Sequence, residues 1–194
     1  MNEKESLDLI TRMINNTRKG IERNAALPML IFGYASVITS LAVWLALSLT
    51  GNYWFHLLWA AIPLLGWPAL GLLKTRRSRA ESTPGSYIGR IIARMWYLLF
   101  GIMVLCTIVP FILRGFPVAF VMTLLVAIGV SCSGLFVRYR PFIICGFAGV
   151  LISFAFLWIE GTIQTPLLAL VFLVMMVIPG HMLQATNNKN KENA

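Results

Sequence analysis

Few side chains in this sequence are of the types that catalyse reactions or bind metals. A serine becomes a nucleophile when a histidine accepts its proton within hydrogen-bond reach, and the candidates here are Ser133 and His181. The sequence has no His-x-x-x-His, no Cys-x-x-Cys and no cluster of carboxylates, which are patterns that hold metal ions. We therefore predict no metal site and no cofactor.

Apolar segments must position these side chains, because hydrophobic residues make up 58% of the 194 and charged residues only 12%. Each of six apolar runs is close to the roughly 20 residues that a helix needs to cross about 30 Å of hydrocarbon, where only helices or closed barrels satisfy the backbone. The predicted spans are residues 27–49, 53–73, 91–113, 116–137, 142–159 and 165–183. The sequence thus predicts an all-α integral membrane bundle of six transmembrane helices, paired into three hairpins whose short turns contain Gly51, Gly115 and Gly161.

The basic residues are divided unequally between the two ends of these spans. Of the sixteen Lys and Arg residues, fifteen fall on the side of the termini and only Arg114 falls on the opposite side. Basic loops are retained in the cytoplasm, so both termini are predicted to be cytoplasmic. The chain then divides into an amphipathic cytoplasmic helix at 1–26, a transmembrane domain at 27–183 with a basic loop at 74–90, and a polar tail at 184–194. Because this topology explains the net charge of +9, no nucleic-acid partner is predicted.

The fourth predicted span contains the run Ser131-Cys132-Ser133-Gly134, and the sixth contains His181. This arrangement is similar to that of rhomboid intramembrane proteases, which place a Gly-x-Ser-Gly serine in span four and its histidine base in span six. Ser131 stands where that family has its first glycine, and Ser133 falls near the cytoplasmic end of the span, which is the wrong depth for the family. Small residues also allow membrane helices to approach closely. We therefore predict that the protein is not an enzyme, and an intramembrane enzyme is the third alternative.

Residues 1–26, the N-terminal arm, have a helical pattern of their own. Leu7, Ile10, Met13 or Ile14, Thr17 and Ile21 recur at three- and four-residue steps, which places them on one face of a helix. Two interpretations are open: an interfacial helix on an anionic inner leaflet, or a docking helix whose apolar stripe enters a groove of a cytoplasmic protein. Gly20 lies just before the membrane and would suit a hinge.

The arm and the first span, ESLDLITRMINNTRKGIERN followed by LPMLIFGYASVITSLAVWL, resemble the start of small bacterial multi-span proteins that carry an ESLxLIxxMI-like cytoplasmic arm. The resemblance covers the arm and the first span and implies a location in a bacterial cytoplasmic membrane. It implies no activity and no functional residue.

Basic side chains on the cytoplasmic side are the candidate contacts for anionic lipid headgroups or for a cytoplasmic protein. They comprise Arg12, Arg18, Lys19 and Arg23 in the arm, Arg76, Arg77 and Arg79 in the loop, and Arg90 and Arg94 around the start of span three. The alternative is that these residues only determine topology. Beside Arg94, Trp96 and Tyr97 fit an aromatic belt at the membrane surface.

Charge is scarce on the other side of the membrane. His56, Arg114 and Glu160 lie there, near the turns of the hairpins, and we predict a polar cluster in which Arg114 and Glu160 pair. The pair would either hold neighbouring hairpins in register or mark the entrance to a solute pathway.

The sequence as a whole predicts a membrane-embedded regulator or interaction partner that uses its basic cytoplasmic face. The alternative is a small permease or exporter of a neutral or lipophilic solute, expected to be a homo-oligomer because six short-looped helices enclose little space. Prolines interrupt the predicted helices and would expose carbonyls to a cavity, at Pro63, Pro68, Pro110 and Pro179. A water-accessible cavity at these kinks would favour transport, whereas a sealed bundle with an ordered N-terminal helix would favour regulation.

Overall fold

The computed structural model describes residues 3–78, 87–113 and 115–192, and every regular element in these ranges is a helix. The α-helices are α1 (Glu3–Thr50), α2 (Ala61–Ser78), α3 (Tyr87–Ile112), α4 (Val118–Val137), α5 (Arg140–Ala155), α6 (Gln164–Phe172) and α7 (Ile178–Glu192). A 3₁₀ segment at Tyr53–Ala60 precedes α2, and a π segment at Leu173–Val177 joins α6 to α7. The prediction of an all-α chain is confirmed for these ranges.

Five helical stretches are long and apolar enough to cross a membrane, as expected of a multi-pass membrane protein. They are Ala25–Thr50, Trp54–Leu73, Ile88–Ile112, Val118–Val137 and Gln164–Thr186. The sixth predicted span corresponds to the shorter helix α5, whose 16 residues rise about 24 Å. After Ala155 the helical winding continues for one tighter turn, in which the Trp158 N–H donates to the Ala155 carbonyl at 3.1 Å. By length and composition, five of the six predicted spans are confirmed.

The N-terminal arm and the first span form a single helix. α1 runs without interruption for 48 residues and includes both Gly20 and Pro28. A glycine inside a helix costs only about 1 kcal/mol relative to alanine. A proline is costlier, because it removes one backbone hydrogen bond and crowds the preceding turn, yet α1 continues through Pro28 as well. The helix is therefore not broken at Gly20, where the sequence indicated a hinge.

Close approach at small residues holds several of the helices together. α1 lies against the π segment at Gly33, where a Cβ atom would be 3.1 Å from the Cβ of Met176. α4 and α5 approach still more closely, because a Cβ at Gly134 would be 2.7 Å from the backbone nitrogen of Ile143. Dispersion contacts of this kind drive helix association in lipid, where no hydrophobic effect operates between helices. The packing role predicted for the Ser/Gly run of span four is confirmed at Gly134.

The turns predicted to contain glycine lie together at one end of the bundle, which we call the tip end. Gly51, Gly115 and Gly161 adopt φ angles of 62°, 90° and 82°, a conformation that residues with a Cβ rarely adopt. At the opposite end α2 ends, α3 begins, and a turn through Arg138 and Tyr139 connects α4 to α5. We call this opposite end the basic end.

Pro179 accounts for the π segment. Proline has no N–H to donate, and its ring collides with the carbonyl four residues earlier, which here belongs to Met175. The preceding turn widens to relieve this collision, so the Ile178 N–H donates to the Leu173 carbonyl, five residues back. The interruption predicted at Pro179 is therefore confirmed as a local widening within a continuous helical span.

Pro63 lies in the first turn of α2, directly after the 3₁₀ segment, which ends at Ala60. Proline is tolerated in the first turn of an α-helix, where its missing N–H would have no partner within the helix. Pro68 and Pro110 lie further inside α2 and α3. Of the four predicted interruptions, two thus lie next to a change of helix type and two lie within α-helix.

Candidate functional site

The two residues that sequence reasoning considered as a nucleophile and a base engage different partners. The buried Ser133 hydroxyl donates to the Gly129 carbonyl at 2.8 Å and accepts a hydrogen bond from Trp96 Nε1 at 3.0 Å. His181 is exposed, and its Nε2 is 2.6 Å from the Tyr34 hydroxyl. Each side chain therefore has a structural role: Ser133 joins α3 to α4, and His181 joins α7 to α1.

The basic candidates lie on the elements that form the basic end. Arg90 and Arg94 are four residues apart on α3, and both are exposed. Arg138 and Arg140 are exposed at the turn between α4 and α5. The backbones of Arg12, Arg18, Lys19 and Arg23 belong to α1, and those of Arg76 and Arg77 belong to α2. Arg79 lies outside the described residues.

The predicted polar cluster at the tip end is described only in part. His56 is half-buried in the 3₁₀ segment, and Glu160 is exposed in the turn between α5 and α6. Arg114 lies outside the described residues. The pairing of Arg114 with Glu160 therefore stays a prediction.

A cavity of about 210 Å³ lies among α1, the 3₁₀ segment, the start of α2, α3, α4, the end of α6 and the π segment. Two hydroxyl-bearing side chains, Ser36 and Thr107, line it together with many aromatic and aliphatic ones. The aromatic and methionine side chains among the lining residues are Phe32, Trp59, Trp96, Phe100, Met103, Met122, Phe172 and Met176. Because its walls are so apolar, the cavity is suited to a lipophilic molecule and not to a hydrated ion.

The Trp96 ring is held in the wall by contacts on several sides. Its N–H is satisfied by Ser133, and its ring centroid lies 5.6 Å from that of Phe100. On the other side Gly129 leaves room for it, because a Cβ there would lie 3.0 Å from Cη2 of the indole. The expectation that Trp96 belongs to an aromatic belt is wrong, since it is only 8% exposed. Its neighbour Tyr97 is exposed, as that expectation required.

The cavity opens sideways through the surface that faces lipid. Leu57 of the 3₁₀ segment and Val104 and Ile108 of α3 line it and are nevertheless 46%, 41% and 48% exposed. All three belong to stretches long and apolar enough to span a membrane. A molecule dissolved in hydrocarbon would therefore reach the cavity between the 3₁₀ segment and α3 without passing through water.

Sequence reasoning named a water-accessible cavity at the proline interruptions as the observation that would favour transport, and two irregular segments do contribute to the wall of the cavity. Pro63 and the 3₁₀ residues Leu57, Trp59 and Ala60 line it on one side, and Met176 of the π segment lines it on another. The apolar lining does not match the water-accessible character of that criterion. The sequence signal that could have located the cavity is that Pro63 follows Trp59 and Pro179 follows Met176 within three or four residues.

Comparison of the chain with protein-family models, with curated proteins and with solved structures finds no match.

Proposed function

We propose that this chain is a non-enzymatic, six-pass protein of a bacterial cytoplasmic membrane, and that it is a regulator or interaction partner acting through its basic end. The observation that supports this most is the length of α1. The apolar stretch of α1 begins at Ala25, whereas the helix begins at Glu3. About 33 Å of the same helix therefore extends beyond the span.

The continuity of α1 favours one of the two interpretations of the arm. An interfacial helix lies in the membrane plane and must bend where it meets a spanning helix, but α1 has no break near Gly20. A spanning helix that continues without a break through Gly20 would project away from the bilayer instead. The apolar stripe through Leu7, Ile10, Ile14 and Ile21 then suits a groove on a cytoplasmic protein.

The basic end supplies the second element of this proposal. Arg90, Arg94, Arg138 and Arg140 are exposed on elements that meet at the basic end, where we expect anionic headgroups to lie. Each basic residue near such a surface contributes about 1 kcal/mol of attraction. Anionic lipid would hold the bundle in place while the arm remains available to a protein partner.

Six crossings are supported by the course of α5. This helix starts at the basic end and runs antiparallel to α4, since Gly146 lies opposite Ser131 and Gly149 opposite Ala127. It ends at the turn that contains Gly161, at the tip end. The antiparallel course of α5 beside α4 supports the proposal that both helices cross the membrane.

Topology reporters test this arrangement. Fusions that are active only outside the cytoplasm should be active near Gly51, Gly115 and Gly161, because the basic residues retain the other end inside. They should be silent near Tyr139 and at the C-terminal tail. An active fusion in the tail would mean an odd number of crossings and would contradict the six-pass proposal.

Charge reversal within the apolar stripe tests the arm. Replacing Ile10 and Ile14 by Asp should abolish the recovery of a protein crosslinked to the arm in native membranes, because charge opposes burial in an apolar groove. The matched control carries Asn15→Asp and Asn16→Asp, which add the same charge outside the stripe and should leave recovery unchanged. Equal recovery from both variants, or loss of membrane insertion in the first, would contradict the docking role.

A permease or exporter of a lipophilic solute is the second candidate, and the cavity is the observation that favours it. The sideways opening past Leu57, Val104 and Ile108 would admit such a solute from the bilayer. Release on the other side requires a second opening, which homo-oligomerisation would have to supply. Flux of a fluorescent lipophile across proteoliposomes, compared with empty liposomes, tests this candidate.

A further inference from the structure

We infer that the cavity is a binding site for a small aromatic lipophile that carries one hydrogen-bond donor, and that this ligand enters from hydrocarbon between the 3₁₀ segment and α3. Binding at this site is independent of the role of the arm. Transport of the ligand would additionally rest on the second candidate function, whereas its binding does not.

The size and the walls of the cavity define the apolar part of the ligand. A cavity of about 150 Å³ lined by aliphatic and aromatic side chains is known to hold benzene, and this one has about 210 Å³. It therefore accommodates one substituted ring. Trp59, Trp96 and Phe100 provide aromatic surface, and the sulfur of Met176 adds the polarisable contact that rings favour.

Two hydroxyls define the polar part of the ligand. Thr107 lines the cavity and donates its proton to the Met103 carbonyl at 2.9 Å, so the hydrogen bond left for its oxygen to make is as an acceptor. Ser36 also lines the cavity and is 6% exposed. In an apolar surrounding a polar group gains more from a hydrogen bond than it does in water, because nothing else there can satisfy it. A phenol-like O–H or an aromatic N–H matches these acceptors.

The structure of the cavity walls supports a binding site and not a packing defect. The π segment places Met176 against the cavity, and π-bulges are frequent at functional sites. The hydrogen bond to Ser133 fixes the Trp96 ring, whose own N–H is therefore unavailable to a ligand. The side chains around the opening, by contrast, are aliphatic and face lipid, so entry requires no desolvation of a charge.

A lipid acyl chain is the competing occupant. It would fill the same volume, but it has no donor for Thr107 or Ser36 and gains nothing from flat aromatic walls. The two occupants differ in one measurable property, which is the response of binding to a hydroxyl on the ligand.

The test uses the full chain in phosphatidylcholine nanodiscs with two probes of matched shape, 4-bromophenol and 4-bromotoluene. Bromine quenches tryptophan fluorescence on contact, and Trp59 and Trp96 line the site. Quenching by probe dissolved in the bilayer rises without saturation, so the saturable part reports the cavity. We expect 4-bromophenol to bind roughly three- to tenfold more tightly than 4-bromotoluene, the effect of one neutral hydrogen bond.

Two pairs of variants assign the effect to the cavity. Thr107→Val or Ser36→Ala should remove most of the preference for the phenol, whereas Thr123→Val, which loses the same type of backbone bond outside the lining, should retain it. Ala60→Phe should fill the site and eliminate saturable quenching by both probes, whereas Ala148→Phe on the exposed face of α5 should not. If Ala60→Phe fails to fold, the two hydroxyl variants still decide the assignment.

Two results would overturn the inference. Saturable binding with equal affinity for the two probes would mean that the cavity accepts any apolar filler, as an acyl chain would. Absence of a saturable component in the unmodified chain would mean that these compounds have no site at all.

Discussion

The spanning stretches of this bundle fall into a tightly packed half and a loosely packed half. The tight half comprises Val118–Val137 and Gln164–Thr186, where 50% and 56% of the residues in the most apolar part are buried inside the protein and glycines bring the backbones together. In the Trp54–Leu73 and Ile88–Ile112 stretches the shares are only 17% and 22%. The second pair is therefore the loosely packed half, and the cavity lies between the two halves.

Aromatic rings take the place of direct backbone contact on the loose side. Phe32 of α1 lies 5.5 Å from Trp67 of α2 and 4.7 Å from Phe100 of α3, measured between ring centroids. Trp67 and Tyr97 stack in parallel with centroids 3.9 Å apart. Rings keep helices further apart than small residues do, which leaves space for a cavity. The tightly packed half is thus expected to be the more rigid one, and the loosely packed half leaves the cavity accessible to a ligand.

The largest expected effect is on the ring that connects the two halves. Phe32→Ala removes both ring contacts of a side chain that is 5% exposed, and large-to-small changes of this kind cost about 3–5 kcal/mol in buried cores. Phe147→Ala, which removes a ring that is 64% exposed on the surface of α5, should stay within about 0.5 kcal/mol. Unfolding in mixed micelles of denaturing detergent measures both. Equal losses of unfolding free energy in the two variants would mean that Phe32 does not hold α2 and α3 against α1.

A matched pair of glycine substitutions separates the two packing modes. Gly134→Ala should destabilise the protein by about 1–3 kcal/mol, because the added methyl group meets backbone atoms of α5 that cannot move cheaply. Gly101→Ala on α3 meets nothing within 4 Å and should be neutral or stabilising by up to about 1 kcal/mol. Detergent-induced unfolding midpoints compare the two. A destabilising Gly101→Ala would show that the loose half is closed by a contact absent from this structure.

The hydrogen bond between Trp96 and Ser133 links the two halves and should have a smaller effect. A double-mutant cycle with Trp96→Phe and Ser133→Ala should give a coupling energy near 0.6 kcal/mol, the average for side-chain hydrogen bonds between membrane helices. Trp158→Phe, at a site that is 78% exposed, serves as the control for loss of an indole. Zero coupling would leave Trp96 held by packing alone.

The smallest effect is expected at the tip end. If Arg114 and Glu160 pair, the exposure of Glu160 limits the coupling between Arg114→Ala and Glu160→Ala to at most about 1 kcal/mol. The coupling should also fall as salt is raised, because the charge of an exposed partner is screened. Strict additivity at low salt would mean that the two residues do not pair.

Much of the architecture could be predicted from the sequence because lipid restricts the backbone so strongly. Apolar runs of spanning length must be helical, and short turns that need positive φ require the glycines found at Gly51, Gly115 and Gly161. The sequence also predicted that the helices are interrupted near Pro63 and Pro179. It did not predict the helix type there, which is 3₁₀ before Pro63 and π before Pro179.

The sequence by itself thus determined the helices, their turns and the scarcity of reactive side chains. Only the tertiary structure decided which faces are inside, because the lipid-facing surface of a membrane helix is as apolar as its interior and hydrophobic periodicity cannot distinguish them. Trp96 and Ser133, 37 residues apart, and Tyr34 and His181, 147 apart, meet through packing that no local pattern encodes. The cavity is lined by seven helical elements that are distant from one another along the chain, so its existence follows from their arrangement in space.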